Sequence, residues 1–191
     1  AHENAKRAAA EAAARHVPDH ATVGLGTGST AALFHEALAA RIRDEGLRVR
    51  AVATSDATAD NARRLGIPLV PFGPDSLPDL TVDGADEIGP HLSLIKGGGG
   101  ALVREKLVAL ASRRMIVIAD ATKRVRLPGA SPLPGAAAPS PRGVVPRPAL
   151  LEKRLKNVVG VVESGLFVGV ATLALLGHDD GTVEPLTPEA G

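Results

Sequence analysis

Apolar residues recur along this chain with two periods, and the alternation between them predicts an α/β succession. Alanines at helical spacing among charged residues predict an amphipathic helix near residues 3 to 15. Short apolar runs bounded by Gly, Pro or Asp predict strands at 21–25, 48–53, 67–71, 79–83 and 115–119. Helical patterns at 29–41, 56–65 and 100–112 fall between them. Strands separated by helices argue for a mostly parallel sheet with helices on both faces, a Rossmann-like α/β fold.

The pattern weakens in the middle and returns toward the end. Residues 127–148 carry seven prolines, at 128, 132, 134, 139, 141, 146 and 148, and such a segment cannot build paired central strands. It reads as a Pro/Gly-rich connection inside one α/β domain formed by residues 1–126 and 149–191. A helix over 149–156, a strand over 158–163 and another over 172–177 follow, with Asp180-Gly181 as a hairpin signal and a tail that frays after Pro185.

Two of the strand ends carry the chemistry. Leu80-Thr81-Val82 runs into Asp83-Gly84-Ala85-Asp86, and Lys96 with Gly97, Gly98, Gly99 and Gly100 opens the helix that holds Glu105. Glycines let backbone N–H groups approach a ligand, and a first-turn glutamate is favoured in its ionised form by the helix dipole. Glu105 therefore reads as a base. Earlier, Val23-Gly24-Leu25-Gly26 leads through Thr27, Gly28, Ser29 and Thr30 into a helix, an arrangement in which amides and hydroxyls converge on an anion such as phosphate. It lacks the Lys of a Walker A loop and the full dinucleotide fingerprint.

With these motifs in order, the chain resembles the ribose-5-phosphate isomerases of type A. The resemblance covers GLGTGST at 24–30, TSDAT at 54–58, VDGADEI at 82–88, LIKGGGGALVREK at 94–106 and IVIADATK at 116–123. It returns more weakly in VVGVVESGLF at 158–167 and LALLG at 173–177. What it implies is an aldose-ketose isomerase acting on ribose 5-phosphate and ribulose 5-phosphate through an enediol(ate), without metal or organic cofactor. It also implies that Thr27 to Thr30 bind substrate, that Asp83 to Asp86 and Lys96 to Gly99 surround the sugar, that Glu105 moves the proton, and that Lys123 and Lys6 reach the phosphate. The departure lies after Lys123, where the family usually inserts a small α+β lid and this chain has only the Pro/Gly-rich connection.

Residue by residue, Glu105 is expected to shuttle a proton between C2 and C1, with Lys96 and the amides of Gly97 to Gly99 stabilising the oxyanion. Asp83 and Asp86 are the candidates for ring opening, in an order the sequence leaves open. Ser55 is expected to add a hydroxyl to the pocket, Asp56 to cap the helix that follows, and Glu87 to be structural. Two other readings stand beside this one: a paralogue acting on a related pentose phosphate, and a non-catalytic sugar-phosphate sensor. Retention of Glu105, Asp83 and Lys96 together argues against the sensor, which has no use for a proton shuttle.

Composition narrows the partners. With 22 basic and 21 acidic residues the net charge is +1, which gives no reason to expect nucleic acid or an anionic membrane. There is no cysteine, and the six histidines show no ligand spacing, so a metal site is not expected. No apolar run reaches membrane-spanning length. The expectation is a cytoplasmic protein with a small sugar phosphate as its partner and a homodimer as its candidate assembly.

Overall fold

The structure, a computed structural model, describes residues 2–131, 133–134 and 143–188. In chain order its elements begin with α1 (Glu3–Arg15), β1 (Thr22–Leu25), α2 (Ser29–Glu45), β2 (Arg50–Ala53), α3 (Asp56–Arg64), β3 (Leu80–Gly84) and β4 (Glu87–Ile88). They continue with β5 (Leu94–Ile95), α4 (Leu102–Ala111), β6 (Met115–Asp120), α5 (Pro148–Lys156), β7 (Leu166–Phe167), β8 (Leu173–Gly177) and β9 (Val183–Leu186). Six strands form the main sheet in the order β2-β1-β3-β6-β8-β9, parallel except for the last pair. No helix among the described residues is long and apolar enough to cross a membrane.

The sheet is covered on both faces, which explains its continuously apolar strands. Along β6 the side chains alternate. Ile116 and Ile118 join α1 and α2 in one cluster, with Ala13, Leu33, Phe34 and Leu38. Met115, Val117 and Ala119 join Ala109 of α4 and Phe167 in the other. Alanine-rich α1 lies across β6 and β8. It sits so close to β8 that a Cβ on Gly177 would come within 1.8 Å of the Ala5 carbonyl oxygen.

The second layer is partly a sheet of its own, which the hydrophobic pattern does not predict. β4, β5 and β7 pair antiparallel as a three-stranded sheet of two-residue strands, too short to show a period. On it, Leu151 and Leu155 of α5 pack beside Ile95, Leu133 and Leu166. Glu87 of β4 is buried and accepts hydrogen bonds from the amides of Gly129 and Ser131, fastening the Pro/Gly-rich connection to this sheet. Its described residues before Pro148 form neither helix nor strand; Pro132 and residues 135–142 of that segment lie outside the described residues.

Three expectations are corrected. The strand over 67–71 is reduced to an isolated bridge between Ala51 and Leu69. The strand over 158–163 does not form: this valine-rich stretch is a turn and an unpaired segment, with Val158, Val159 and Val162 exposed. β-Propensity without a partner edge makes no strand. At the other end β9 stays paired through Leu186, opposite Ala174, so pairing outlasts the expected fraying point at Pro185. The hairpin itself closes as read, with His178 N–H donating to Thr182 O and Gly181 N–H to His178 O.

Candidate active site

The parallel strands deliver their following loops to one edge of the sheet, where ligands of α/β folds are bound. The loop after β1 holds Thr27 and Gly28, the turn after β3 holds Ala85 and Asp86, and the short turn after β6 ends at Lys123. Because β3 alternates, Val82 enters the α1/α2 core while Asp83 turns to the opposite face. Asp83 is held rigidly there. Its Oδ1 accepts hydrogen bonds from the amides of Thr27 at 3.1 Å and Gly84 at 2.7 Å. A Cβ on Gly26 would stand 2.2 Å from that same oxygen, so glycine is what lets β1 close on the acid.

Lys96 is buried and its ammonium ties three backbone segments together. Nζ lies 3.0 Å from Asp83 Oδ2 and 3.4 Å from Glu105 Oε1, and it donates to the Gly84 carbonyl at 2.6 Å. Burial opposes its charge, but the carboxylates of Asp83 and Glu105 outweigh burial and hold the ammonium above the usual lysine range. Glu105 is moved the other way. Burial, and after it the Asp83 carboxylate, push its carboxyl up to about 7 against the pull of Lys96. The helix dipole invoked for a first-turn glutamate is therefore outweighed by burial and by the neighbouring Asp83 carboxylate. The second oxygen of Glu105, Oε2, is buried without a hydrogen-bond partner among the described residues.

Asp86 connects the two sequence motifs. It is partly exposed, and its Oδ2 accepts from the Gly98 amide at 3.0 Å. Gly97 and Gly100 have φ of 100° and 83°, and a Cβ on Gly97 would meet the Leu102 side chain at 2.6 Å. That left-handed turn folds the glycine run back over the start of α4. At the other end of the cavity α2 begins at Ser29, with no side chain capping it, and its first amides have no acceptor within the helix. Lys6 of α1 reaches this point, donating to Ser29 Oγ at 3.2 Å, and Lys123 stands on the same wall.

These residues enclose a cavity of about 170 Å³. Lys6, Thr27, Gly28, Ser29, Thr30, Gly84, Ala85, Asp86, Lys96, Gly97, Gly98, Gly99, Glu105 and Lys123 line it. Asp83 lies just behind the lining, and Ser55 is elsewhere. The Ser55 hydroxyl accepts from the Thr58 amide at 3.0 Å and so caps α3, the role the sequence reading gives to Asp56. It borders an adjoining groove with Thr54 and Phe72. The Thr27 hydroxyl also turns toward this cluster, within 2.8 Å of Thr54 Oγ1 and 2.9 Å of Ser55 Oγ.

Two residues beside the cavity escaped the sequence reading. Lys106 is buried, with Nζ 2.8 Å from both Glu152 Oε1 and Glu163 Oε1 and donating to the Ser164 carbonyl at 3.1 Å. Phe167 is buried below two ammoniums, its ring centroid 5.0 Å from Lys106 Nζ and 5.5 Å from Lys96 Nζ. A signal for Lys106 did exist. It shares a helical face with Leu102 and Ala109, which marks a buried cation in need of partners. Phe167 carries no comparable mark.

Comparison with known proteins adds to this geometry. A family model described as Ribose 5-phosphate isomerase A (phosphoriboisomerase A) matches residues 50–145. A curated ribose-5-phosphate isomerase A of Caulobacter sp. (strain K31) is 46% identical over 221 aligned positions, spanning 94% of this chain and 96% of the relative. That alignment is longer than the 191-residue chain, so the relative has residues that this chain lacks. The solved ribose 5-phosphate isomerase A of Methanocaldococcus jannaschii superposes with a TM-score of 0.88 at 31% identity, over 98% of this chain and all of the other. A D-ribose-5-phosphate isomerase solved in complex with phospho-erythronic acid gives a TM-score of 0.89 at 26% identity, over 95% of this chain and 97% of that one.

Proposed function

The chain belongs to the ribose 5-phosphate isomerase A family and interconverts ribose 5-phosphate and ribulose 5-phosphate; on that premise we propose which of its residues carry the reaction. Glu105 is the proton shuttle. The observation that carries this is its free, buried Oε2 beside Lys96, on a carboxyl held at about 7, where a base is half-ionised near neutral pH. In the open-chain aldose, Glu105 takes the proton from C2 while the electron pair of that bond forms the C1–C2 double bond and the carbonyl pair moves onto O1. Lys96 and the amides of Gly97 to Gly99 stabilise that oxygen. The O2 hydroxyl proton passes to O1, and the proton held on Glu105 returns to C1 as the O2 electron pair forms the C2 carbonyl.

Ring opening must come first, and we assign it to Asp86. Asp83 is held by two amides at Oδ1 and ion-paired to Lys96 behind the lining, whereas Asp86 lines the cavity and is held by the single amide of Gly98. The phosphate is placed at the other end, on the open start of α2 between Lys6 and Lys123, a setting that favours a dianion. A paralogous substrate and a non-catalytic sensor are not favoured by the family assignment. The absence of cysteine fits a reducing, cytoplasmic setting. A homodimer is the assembly we propose, with exposed apolar residues such as Val158, Val159 and Val162 for a second copy to cover, and light scattering decides it. The domain division, with residues 127–148 as a connection in place of a lid, is supported by their lack of helix or strand before Pro148 among the described residues.

The experiment for the phosphate end is calorimetric titration with phospho-erythronic acid and with its dephosphorylated form. Lys123→Ala is expected to weaken the first about tenfold, the worth of one charge-assisted hydrogen bond, and to leave the second unchanged. Ser29→Ala should do less, because the amides remain. Equal affinity of the unaltered protein for both ligands would remove the phosphate anchor from this reading.

A further inference from the structure

Outside the cavity the molecule buries one more cluster of charge, and it touches the helix that carries Glu105. Every polar partner of Lys106 comes from beyond the Pro/Gly-rich connection: Glu152 on α5, and Glu163 and the Ser164 carbonyl on the segment leading into β7. That segment also holds Lys96, since the Lys96 amide donates to the Gly165 carbonyl at 2.9 Å. Both lysines lie over the Phe167 ring, whose π face attracts cations. The two ammoniums are thus referred to one rigid group.

We propose that Lys106 is a positioning residue for the isomerisation: clamped by Glu152 and Glu163 and seated over Phe167 beside Lys96, it fixes the rotation of α4 that turns Glu105 into the cavity. The geometry makes this a strong constraint. Glu105 and Lys106 are consecutive on α4, so a helix turned to keep Lys106 on its clamp presents Glu105 to Lys96, and a helix released from the clamp keeps only its apolar contacts at Leu102, Val108 and Ala109 and the exposed Arg104–Asp56 pair to set its angle. Misplacement of a catalytic group by about 1 Å costs on the order of a hundredfold in rate. This inference rests on the assignment of Glu105 as the shuttle.

Two variants test it, read by kinetics and by carbon-13 NMR titration of the Glu105 carboxyl, assigned by difference from Glu105→Gln. Lys106→Met keeps length and removes charge, leaving Glu152 and Glu163 beside water. It is expected to lower kcat by roughly ten- to a hundredfold with KM little changed, and to move both the acidic limb of kcat and the carbon-13 titration to higher pH. The double variant Glu152→Gln/Glu163→Gln leaves the lysine charge without its counter-charges. It also releases the helix, so it is expected to lower kcat and to move both readouts to higher pH, whereas opposite shifts in the two variants would report the charge of Lys106 and not the placing of Glu105, and would overturn the proposal. The other charged groups around Glu105 are Asp83 from β3 and Lys96 after β5, with Asp86, Lys6 and Lys123 along the cavity, and they are the same in both variants.

A lysine that only stabilises the fold would lower the melting temperature in both variants and leave the limb and the titration in place, and that result overturns the proposal. If Lys106→Met does not fold, the double variant, altered only at partly exposed carboxylates, decides by itself. If the carbon-13 titration moves as expected while Glu105→Gln retains turnover, the clamp stands and the assignment of Glu105 as the shuttle is the part that fails.

Discussion

Two buried lysines ten residues apart each face two carboxylates, yet the pairs behave in opposite ways. Around Lys96, the side chains of Asp83 and Glu105 are 1% and 5% exposed, and Glu105 is pushed up to about 7. Around Lys106, those of Glu152 and Glu163 are 14% and 18% exposed, and Glu163 is lowered, its partial burial overcome by hydrogen bonds from Lys106 and the Ser164 amide. The charges are alike; the provision of donors and water is not. Glu163 has both, whereas Glu105 shares one ammonium at 3.4 Å with a second acid and leaves an oxygen unpaired. A carboxylate poised for proton transfer is one that the fold leaves short of donors.

The largest test of that contrast is Glu105→Gln, which keeps shape and removes basicity. Turnover is expected to fall by on the order of 10² to 10⁴, with ligand binding preserved. Solvent-deuterium incorporation at C2 measures the step directly, and substantial exchange in this variant would remove Glu105 from the mechanism. In the unaltered enzyme kcat should rise with pH through about 7, because the carboxylate is the active form.

Next in size is Lys96→Met, expected to cost about 10² to 10³ in kcat through loss of oxyanion stabilisation. Without the ammonium, Asp83 and burial act on Glu105 unopposed, so the acidic limb should move above its position in the parent. A limb that stays put would show that Lys96 does not sense the shuttle.

Stability against pH separates the two clusters by sign. The fold holds the Glu105 carboxyl at about 7 against an ordinary glutamate value of 4.5, so the stability it allows is complete below about 4.5 and is lost as pH rises through 7. Chemical denaturation of Glu105→Gln and the parent should therefore diverge over that window, the variant gaining about 3 kcal/mol. Glu163 is lowered, so its contribution is present above the ordinary glutamate value and disappears as acid protonates it. Glu163→Gln should lose stability at neutral pH by less than about 1 kcal/mol, since this carboxylate meets water, and the loss should vanish in acid. Curves bending the same way for both variants would dissolve the distinction.

How much of this was legible in the sequence follows from distance along the chain. Asp83, Asp86, Lys96 and Glu105 fall within one stretch whose turns are dictated by glycine, so their convergence is readable from spacing and strand ends. The parallel sheet was equally plain from the alternation of periods. Lys106 was visible as a cation on a buried face, but its partners Glu152 and Glu163 come from beyond a long proline-rich segment, and no local rule pairs them. The second sheet failed for a different reason, because two-residue strands such as Leu94–Ile95 have no period to detect. Val158 to Glu163 misled in the opposite direction: it has the residues of a strand, while the structure gives it no edge to pair with. Ser55 and Asp56 illustrate the finest limit, since either side chain can cap a helix and only the backbone decides.

The way α1 lies across β6 and β8 also sets the order in which the site comes into being during synthesis. Lys6 leaves the ribosome early, on a helix of small residues covered first by α2 and only much later by β6 and β8, and Gly177 of β8 is the residue against which Ala5 closes. Asp83, Lys96 and Glu105 are already joined by short loops when that strand is still to be translated. A nascent chain can therefore gather Asp83, Lys96 and Glu105 early, and Lys6 beside Ser29 on α2, while α1 gains its last cover only when β8 is added. Full seating of α1 therefore reports that β8 has joined the sheet.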